Sequence, residues 1–236
     1  MISYPRPGTQ AQGLEYFIKE SQGYNSFIEH PEFRPEFGGS LLPHLGLKPG
    51  PFTEDEYTAF ILGDFPALSA GGLSIAYATA DPERAFYDVT VSAPKDFSMQ
   101  LLVSEDRRMF QIARDYNNAV MALFEKYAIV RMRDENGRDQ KLRVVGIAWA
   151  TWWHISTRER DKDSDRGIGT GGNPHFHPHN LVSKYVLPKG STELRGMIGR
   201  DIQIAARALG AVDDGDLDRG LKKIAKGRKA QPGAWS

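Results

Sequence analysis

Residues 141–155 alternate in size in the way that is typical of a strand inside a sheet. The odd positions from Val145 to Trp153 are mostly bulky, which predicts a face packed into a core. The even positions from Val144 to His154 are mostly small, so we expect another part of the molecule to lie on that face. Residues 129–133 form a second strand-like segment, and residues 134–137 between the two are typical of a turn. The segments 129–133 and 141–155 together therefore predict an antiparallel hairpin.

Further periodic segments predict the elements around this hairpin. Apolar spacing, caps and breakers predict strands over 85–92 and 181–187, and helices over 9–21, 53–62, 95–103, 105–127 and 192–209. The helix that follows Thr53 begins with a capping box that ends at Glu56. Because strands and helices mix without regular βαβ alternation, the expected class is α+β with an antiparallel sheet.

Composition excludes several classes of function. The 236 residues include no cysteine, which rules out disulfides, thiolate metal sites and thiol catalysis. No apolar run is long enough to cross a bilayer and the N-terminus lacks a secretory pattern, so we expect a cytoplasmic protein without membrane insertion. The length favours a single domain over residues 1–236.

The net charge of zero conceals an asymmetry along the chain. The first 100 residues carry a net charge of −7 and the remainder +7. Residues 219–229 contain six basic side chains and no acidic one. Such a segment is typical either of a nucleic-acid contact or of a solvated tail, and we expect residues 219–236 to form a basic tail.

Four of the six histidines fall between residues 154 and 179. His175, His177 and His179 alternate, so they share one face of an extended segment. The outer two would stand about 13 Å apart on a straight strand, too far for one ion with bonds of about 2 Å. We therefore predict a site of two neighbouring histidines and His154, which suits a catalytic divalent metal; a histidine-rich surface loop is the alternative.

Five segments resemble, in the same order, motifs of the MobF-type conjugative relaxases, the TrwC/TraI family of HUH-type endonucleases. They are Tyr16-Phe17, Tyr24, DVTVSAPK at 88–95, HISTRERD at 154–161 and HPHNLV at 177–182. The resemblance covers about residues 10–215. It implies a central antiparallel sheet of about five strands with helices on one face. It also implies that the N-terminal tyrosine segment folds across the open face.

Relaxases of this family nick one strand of plasmid transfer-origin DNA. A tyrosine attacks the scissile phosphate and stays bound to the 5′ end, while a divalent metal held by three histidines polarises the phosphate. The resemblance implies Tyr16 as the first nucleophile and Tyr24 as the tyrosine of second-strand transfer. It also implies the metal ligands His154, His177 and His179.

Two further side chains have expected roles in this chemistry. Asp88 either accepts the phenolic proton or orients a metal-ligand histidine. Arg158 adds a positive contact to phosphate. Mg²⁺ or Mn²⁺ is the expected metal in use, while three imidazoles also suit Zn²⁺, Ni²⁺ or Co²⁺.

The sequence departs from the family pattern in identifiable places. Phe17 and Asn25 stand where the family often pairs its tyrosines, the loop before His177 is longer, and His175 is an additional histidine, best explained as a loop residue. We expect no helicase domain in these 236 residues. The expected partners are therefore single-stranded or hairpin origin DNA, a coupling and secretion machinery, and a separate helicase.

Three other functions remain open at this point. A replication initiator of the same HUH type would share the chemistry and differ in its DNA sequence. A histidine-metal hydrolase would use activated water and form no covalent adduct. A DNA-binding module with a degenerate site would bind without cleaving.

Overall fold

A six-stranded antiparallel sheet lies at the centre of the computed structural model, which describes residues 6–21, 34–76, 83–103, 107–133, 136–154, 175–197 and 199. Its strands run in the order β1 (Arg6–Gly8), β5 (Phe86–Thr90), β9 (His179–Ser183), β8 (Trp149–Trp152), β2 (Glu36–Gly38) and β3 (Gly50–Pro51). The α+β class and the antiparallel sheet are confirmed, with six strands where about five were expected.

The segment predicted as one long strand over 141–155 forms two strands in different sheets. β6 (Ile129–Arg133) and β7 (Asp139–Arg143) make the predicted hairpin, with Ile129 opposite Arg143. The chain then leaves that hairpin and enters the central sheet as β8. The reason lies in the backbone of Ile147, whose N–H donates to Glu125 and whose carbonyl accepts from Leu41, so neither group continues the ladder.

A third, small sheet replaces part of the predicted C-terminal helix. β11 (Glu193–Gly196) pairs antiparallel with β10 (Tyr185–Val186) and parallel with β4 (Ser74–Ile75). The prediction of helix over 192–209 is therefore wrong for the described residues 192–197. The fully buried Leu194 and its strand pairing outweigh the local helical pattern, because tertiary burial overrides propensity.

Six helices occur among the described residues: α1 (Gln10–Ser21), α2 (Leu42–Leu45), α3 (Glu54–Leu62), α4 (Pro66–Ser69), α5 (Lys95–Val103) and α6 (Arg107–Tyr127). The capping box of α3 is present as predicted. Thr53 Oγ1 accepts a hydrogen bond from the Glu56 N–H, and the Glu56 carboxylate accepts one from the Thr53 N–H.

The buried face of α6 differs from the stripe that the sequence predicts. Spacing places Leu123 on the apolar stripe predicted for this helix, yet its side chain is exposed, while Asn117 is fully buried. The helix is oriented this way because the Asn117 side chain exchanges hydrogen bonds of 2.9 Å with Asn180 of the central sheet in both directions. The remaining core positions of the helix are apolar: Tyr116, Val120, Met121 and Phe124.

Helices cover both faces of the central sheet rather than one. α6 packs on the face that carries Val89, Trp149 and Val182. Residues of α1, α2 and α3 pack on the opposite face, against Ala150 and Trp152. All four residues of β8 are buried, and on this face the small side chain of Ala150, with Ala148 just before the strand, leaves room for the aromatic side chains of the cluster. Among the described residues no helix combines the length and apolarity that crossing a bilayer requires.

Candidate metal and tyrosine site

Three histidines converge where β8 ends and β9 begins. His154, His177 and His179 each offer one ring nitrogen, and these atoms all lie within 4.8 Å of one another. The pairing of β8 with β9 produces this convergence, since Trp152 lies opposite His179 and the His177 N–H donates to the His154 carbonyl at 2.7 Å. The spacing fits one divalent ion after small side-chain rotations, because metal–nitrogen bonds are about 2.0–2.1 Å long.

The fourth histidine of the motif lies beside this cluster. The ring of His175 is 5.0 Å from that of His177, and His175 is absent from the converging set. Its backbone carbonyl accepts a hydrogen bond of 2.6 Å from His177 Nδ1. That bond places the proton of His177 on Nδ1 and leaves Nε2 as the ligand atom.

Asp88 holds His179 from the neighbouring strand. Both carboxylate oxygens of Asp88 lie 3.0 Å from His179 Nδ1. Asp88 reaches His179 diagonally, since the residue directly opposite His179 on β5 is Thr90, whose hydroxyl is 3.4 Å from the same nitrogen. Of the two roles expected for Asp88, this geometry matches the orientation of a ligand histidine, with Nε2 of His179 left free.

Tyr16 lies over the cluster, as the sequence predicts. Its hydroxyl is 2.9 Å from His154 Nε2, and the two rings are parallel to within 10° with centroids 6.0 Å apart. The phenol also meets the edge of Trp152 at 5.6 Å. Trp152 itself is 3% exposed and packs in the core, so it supports the tyrosine from below and is not an open stacking surface.

The interior of the cluster favours neutral imidazoles. Burial, reinforced by the positive charge that His154 and His179 can carry, lowers the pKa of His177 from 6.5 to about 4, although its bond to the His175 carbonyl opposes the shift. Burial also lowers the pKa of His175. A neutral imidazole is the form that binds a metal ion, so His177 is in its ligating state at neutral pH.

The segment that contains His175 and His177 is supported by a layer of buried side chains, which we call the apolar floor. Phe176 is fully buried and stacks on Trp153, with ring centroids 6.0 Å apart. Its backbone N–H donates to the buried hydroxyl of Ser98 at 2.9 Å, and its carbonyl accepts from Ala93. Because Phe176 points into this floor, its neighbours His175 and His177 point toward the opposite side.

Sequence reasoning missed Ser98 and the buried polar network next to His179. Asn180 is fully buried and bonds to Asn117, to the Thr151 hydroxyl and to the Val89 carbonyl. This network ties α6 and three strands together directly behind the histidines. One signal was available, namely an asparagine within the apolar stripe of a predicted helix, where an unpartnered polar group would be costly.

Two expected site residues lie outside the described residues, namely Tyr24 and Arg158. The basic tail at 219–236 also lies outside them. The described part of the site therefore consists of Tyr16, Asp88 and the three converging histidines.

Fold and site together define a class of protein: an α+β domain in which an antiparallel sheet carries a three-histidine metal site with a tyrosine hydroxyl placed on it. The family model described as TrwC relaxase matches residues 10–233, and the chain therefore belongs to the TrwC relaxase family. Members of this family are relaxases, enzymes that nick DNA with a tyrosine.

Individual relatives agree with this assignment. The multifunctional conjugation protein TraI of Escherichia coli is 23% identical over 154 residues, which are 65% of this chain and 8% of TraI. The chain thus spans a small part of that relative's length. Solved structures of the conjugative relaxase TrwC share its fold at 22% identity over 95% of this chain. They include a metal-bound complex with oriT DNA (TM-score 0.72, 70% of that chain) and a copper-bound complex (TM-score 0.74, 71%).

Proposed function

We propose that this chain is a conjugative relaxase that nicks one strand of a plasmid transfer origin with Tyr16 as the nucleophile. The observation that carries the proposal is the 2.9 Å distance between the Tyr16 hydroxyl and Nε2 of His154, one of three convergent histidines. Solved structures of TrwC hold oriT DNA, in one case a 27-mer that comprises the recognition hairpin and the cleavage site. Membership in the same family supports the same class of substrate here.

The proposed reaction exchanges one phosphodiester for another. The Tyr16 hydroxyl oxygen forms a bond to phosphorus, and the bond from phosphorus to the 3′ oxygen of the preceding nucleotide breaks. The phenol loses its proton and the released 3′ oxygen gains one, so atoms and charge balance. Because a phosphotyrosyl ester replaces the original ester, the step is reversible and supports later strand transfer.

The three histidines are the proposed holders of a divalent metal, with Asp88 fixing the ring of His179. When bound, the metal neutralises charge on the phosphoryl oxygens. Metal-bound and copper-bound structures of TrwC support a divalent ion, and Mg²⁺ or Mn²⁺ is our proposal for the ion in use. The hydroxyl of Tyr16 lies at the same cluster, 2.9 Å from Nε2 of His154.

The remaining roles are proposed from the family resemblance. Tyr24 performs second-strand transfer and Arg158 contacts phosphate. A contact of the basic residues at 219–229 with the DNA backbone is proposed from their charge and not from the resemblance. A coupling and secretion machinery and a separate helicase are the proposed protein partners, and the cytoplasm is the proposed location.

The direct test is formation of a covalent adduct. The protein is incubated with labelled single-stranded origin fragments and Mn²⁺, and the products are analysed on a denaturing gel and by mass spectrometry. We expect a 5′-phosphotyrosyl adduct on Tyr16 that disappears with EDTA and in Tyr16→Phe. Tyr127→Phe serves as the matched control, because Tyr127 is exposed at the end of α6 and remote in sequence from the site.

The alternatives predict different products. Metal-dependent cleavage with free 5′ ends and no adduct indicates a hydrolase with a water nucleophile. An adduct formed with a replication origin and not with a transfer origin indicates a replication initiator. Either result overturns the proposal.

A further inference from the structure

We propose that Tyr57 and Gly13 are positioning residues for the nucleophile, because together they fix where α1 lies and hence where the Tyr16 hydroxyl is held. The catalytic meaning of this inference rests on the function proposed above. The geometric part of it, the placement of Tyr16, does not.

The first observation is a hydrogen bond between α3 and α1. Tyr57 is fully buried, and its hydroxyl donates to the backbone carbonyl of Gly13 at 2.9 Å. Gly13 and Tyr16 are three residues apart, so they lie on the same face of α1, one turn from each other. The bond therefore holds the turn of α1 that adjoins the nucleophile.

The Tyr57 ring supports the same tyrosine along a second route. It meets Trp152 edge to face, with centroids 5.4 Å apart and planes at 88°. Trp152 in turn meets Tyr16 at 5.6 Å. Tyr57 thus supports both the backbone that carries Tyr16 and the indole against which its phenol rests.

The second observation is the close approach of α1 at Gly13. A Cβ atom there would come within 2.8 Å of Ile61 Cγ2 in α3 and 3.1 Å of Phe86 Cε1 in β5. Real Cβ contacts are almost never as short as 2.8 Å, so a side chain at this position requires either α1 or the side chain of Ile61 to shift, and the tight approach of Phe86 leaves little room on the other side. Phe86 lies two residues before Asp88 on the same face of β5. Gly13 therefore also sets the distance between α1 and β5, the strand whose Asp88 contacts His179.

A third contact restrains the start of the helix. The Gln10 side-chain amide donates to the Leu62 carbonyl at the end of α3, at 3.0 Å. Helix α1 is therefore attached to α3 at two successive turns. Since the reach of a phenol from its backbone is fixed, a displacement of α1 changes the position of the Tyr16 hydroxyl relative to His154.

Tyr57→Phe tests the inference with the loss of one oxygen atom. A misplacement of about 1 Å can reduce the rate of an oriented reaction about 100-fold, so we expect single-turnover adduct formation at saturating DNA and Mn²⁺ to slow by about 10-fold or more. We expect the affinities for Mn²⁺ and DNA to stay at wild-type values, because the three histidines are unchanged.

Tyr87→Phe is the matched control. Tyr87 is also buried and its hydroxyl also lies near a backbone carbonyl, that of Met197 at 3.5 Å, but it packs on the opposite face of the sheet with α6. We expect both variants to lower the melting temperature by about 2–4 °C, the effect of a small stability loss in a protein of this size, and only Tyr57→Phe to slow adduct formation. Equal slowing in both variants would mean that Tyr57 acts through general stability, which contradicts the inference.

A second pair of variants tests the close contact between Gly13 and Ile61 by adding a methyl group on one side and removing atoms on the other. Gly13→Ala is expected to slow adduct formation, and Gly13→Ala combined with Ile61→Ala to recover part of the loss, because the second change removes the two Ile61 atoms that the new methyl group meets most closely and leaves only the contact with Phe86. A wild-type rate in Tyr57→Phe together with a wild-type rate in Gly13→Ala overturns the proposal.

A readout that does not depend on nicking separates this inference from the proposed function. In protein labelled with ¹³C at Cζ of tyrosine, the Tyr16 resonance is expected to shift in Tyr57→Phe and to stay unchanged in Tyr87→Phe. If the wild type forms no adduct while this shift occurs, the proposed reaction fails and the placement of Tyr16 by Tyr57 stands. If the resonance is unchanged in Tyr57→Phe, the placement fails whatever the adduct assay shows.

Discussion

Asp88 presents both of its carboxylate oxygens to Nδ1 of His179, each at 3.0 Å, across the pairing of β5 and β9. A carboxylate in this position fixes the tautomer of the imidazole and turns its Nε2 toward the other two histidines. One strand pairing thereby sets the orientation of a proposed metal ligand before any ion is bound.

Loss of the Asp88 carboxylate is expected to weaken metal binding. Removing a partner that orients a ligand histidine typically costs about 10–100-fold in metal affinity, so Asp88→Ala should raise the Kd for Mn²⁺ by that factor. Asp88→Asn keeps an oxygen acceptor near Nδ1 and should show a smaller loss. Isothermal titration with Mn²⁺ measures both, and Asp115→Asn, on α6, is the control. An unchanged Kd in Asp88→Ala contradicts this prediction.

His177 is expected to titrate far below an ordinary histidine in the metal-free protein. Its pKa is lowered to about 4, mainly by burial, against 6.5 when unfolded. Between pH 4 and 6.5 the unfolded chain therefore binds a proton at this histidine more readily than the folded chain does. The stabilising contribution is present above pH 6.5 and is lost as the pH falls toward 4.

NMR titration of the His177 ring measures this directly in protein treated with a chelator. A midpoint near 4 agrees with a buried neutral imidazole. A midpoint near 6.5 would show that the ring is solvated and would contradict the packing described for the cluster. In parallel, urea denaturation between pH 7 and 4.5 should show stability falling with acid, and less steeply in His177→Asn.

The buried amide pair behind the histidines is expected to be important for stability. Asn117→Leu leaves the Asn180 amide without one of its partners in the interior, which typically costs about 1–3 kcal/mol of the free energy of unfolding. Thr151→Val should also destabilise, because it removes the hydroxyl that donates to Asn180 at 2.8 Å. Thr151→Ser retains that hydroxyl and serves as the control in chemical denaturation. A loss of stability in the serine variant with none in the valine variant would show that the methyl group, and not the hydrogen bond, matters.

The Ser98 hydroxyl is expected to hold the histidine segment in place. Ser98→Ala removes the acceptor of the buried Phe176 N–H, and we expect a loss of about 1–3 kcal/mol in the free energy of unfolding. Because His175 and His177 flank Phe176, the Kd for Mn²⁺ should rise as well. Ser191→Ala is the control, because it also removes a hydroxyl that accepts from a backbone N–H, that of Glu193 at 3.0 Å, but in the half-buried segment just before β11. Wild-type stability and metal affinity in Ser98→Ala would contradict the role given to this hydroxyl.

Much of the local structure could be predicted from the sequence because its causes are local. The capping box at Thr53 and Glu56, the strand around Asp88 and the long amphipathic helix before Ile129 each depend on a few neighbouring residues. The strand β11 over 193–196 could not be predicted in this way, since its partners lie at residues 74–75 and 185–186. Pairing with distant segments overrode a local pattern that favours helix.

The sequence by itself determined the chemistry of the candidate site. The alternate histidines and His154 at the end of a strand predict the ligand set, because the spacing on a straight strand excludes a single ion held by 175, 177 and 179 together. Tyr16 is predicted only through the resemblance of its segment to the family motif. The match of residues 10–233 to the TrwC relaxase family agrees with that interpretation.

Only the tertiary structure decided how these groups meet. Tyr16 and His154 are 138 residues apart, and Asp88 and His179 are 91 apart, yet each pair is within hydrogen-bond distance. Strand order, the height of α1 above the sheet and the inward turn of Asn117 bring them together. The physical reason is that each of these distances depends on the simultaneous packing of several helices and strands that are far apart in the sequence. The residue type fixes the chemistry of a side chain, and its sequence neighbours fix its local conformation. Neither determines which surface of another element that side chain contacts across the core.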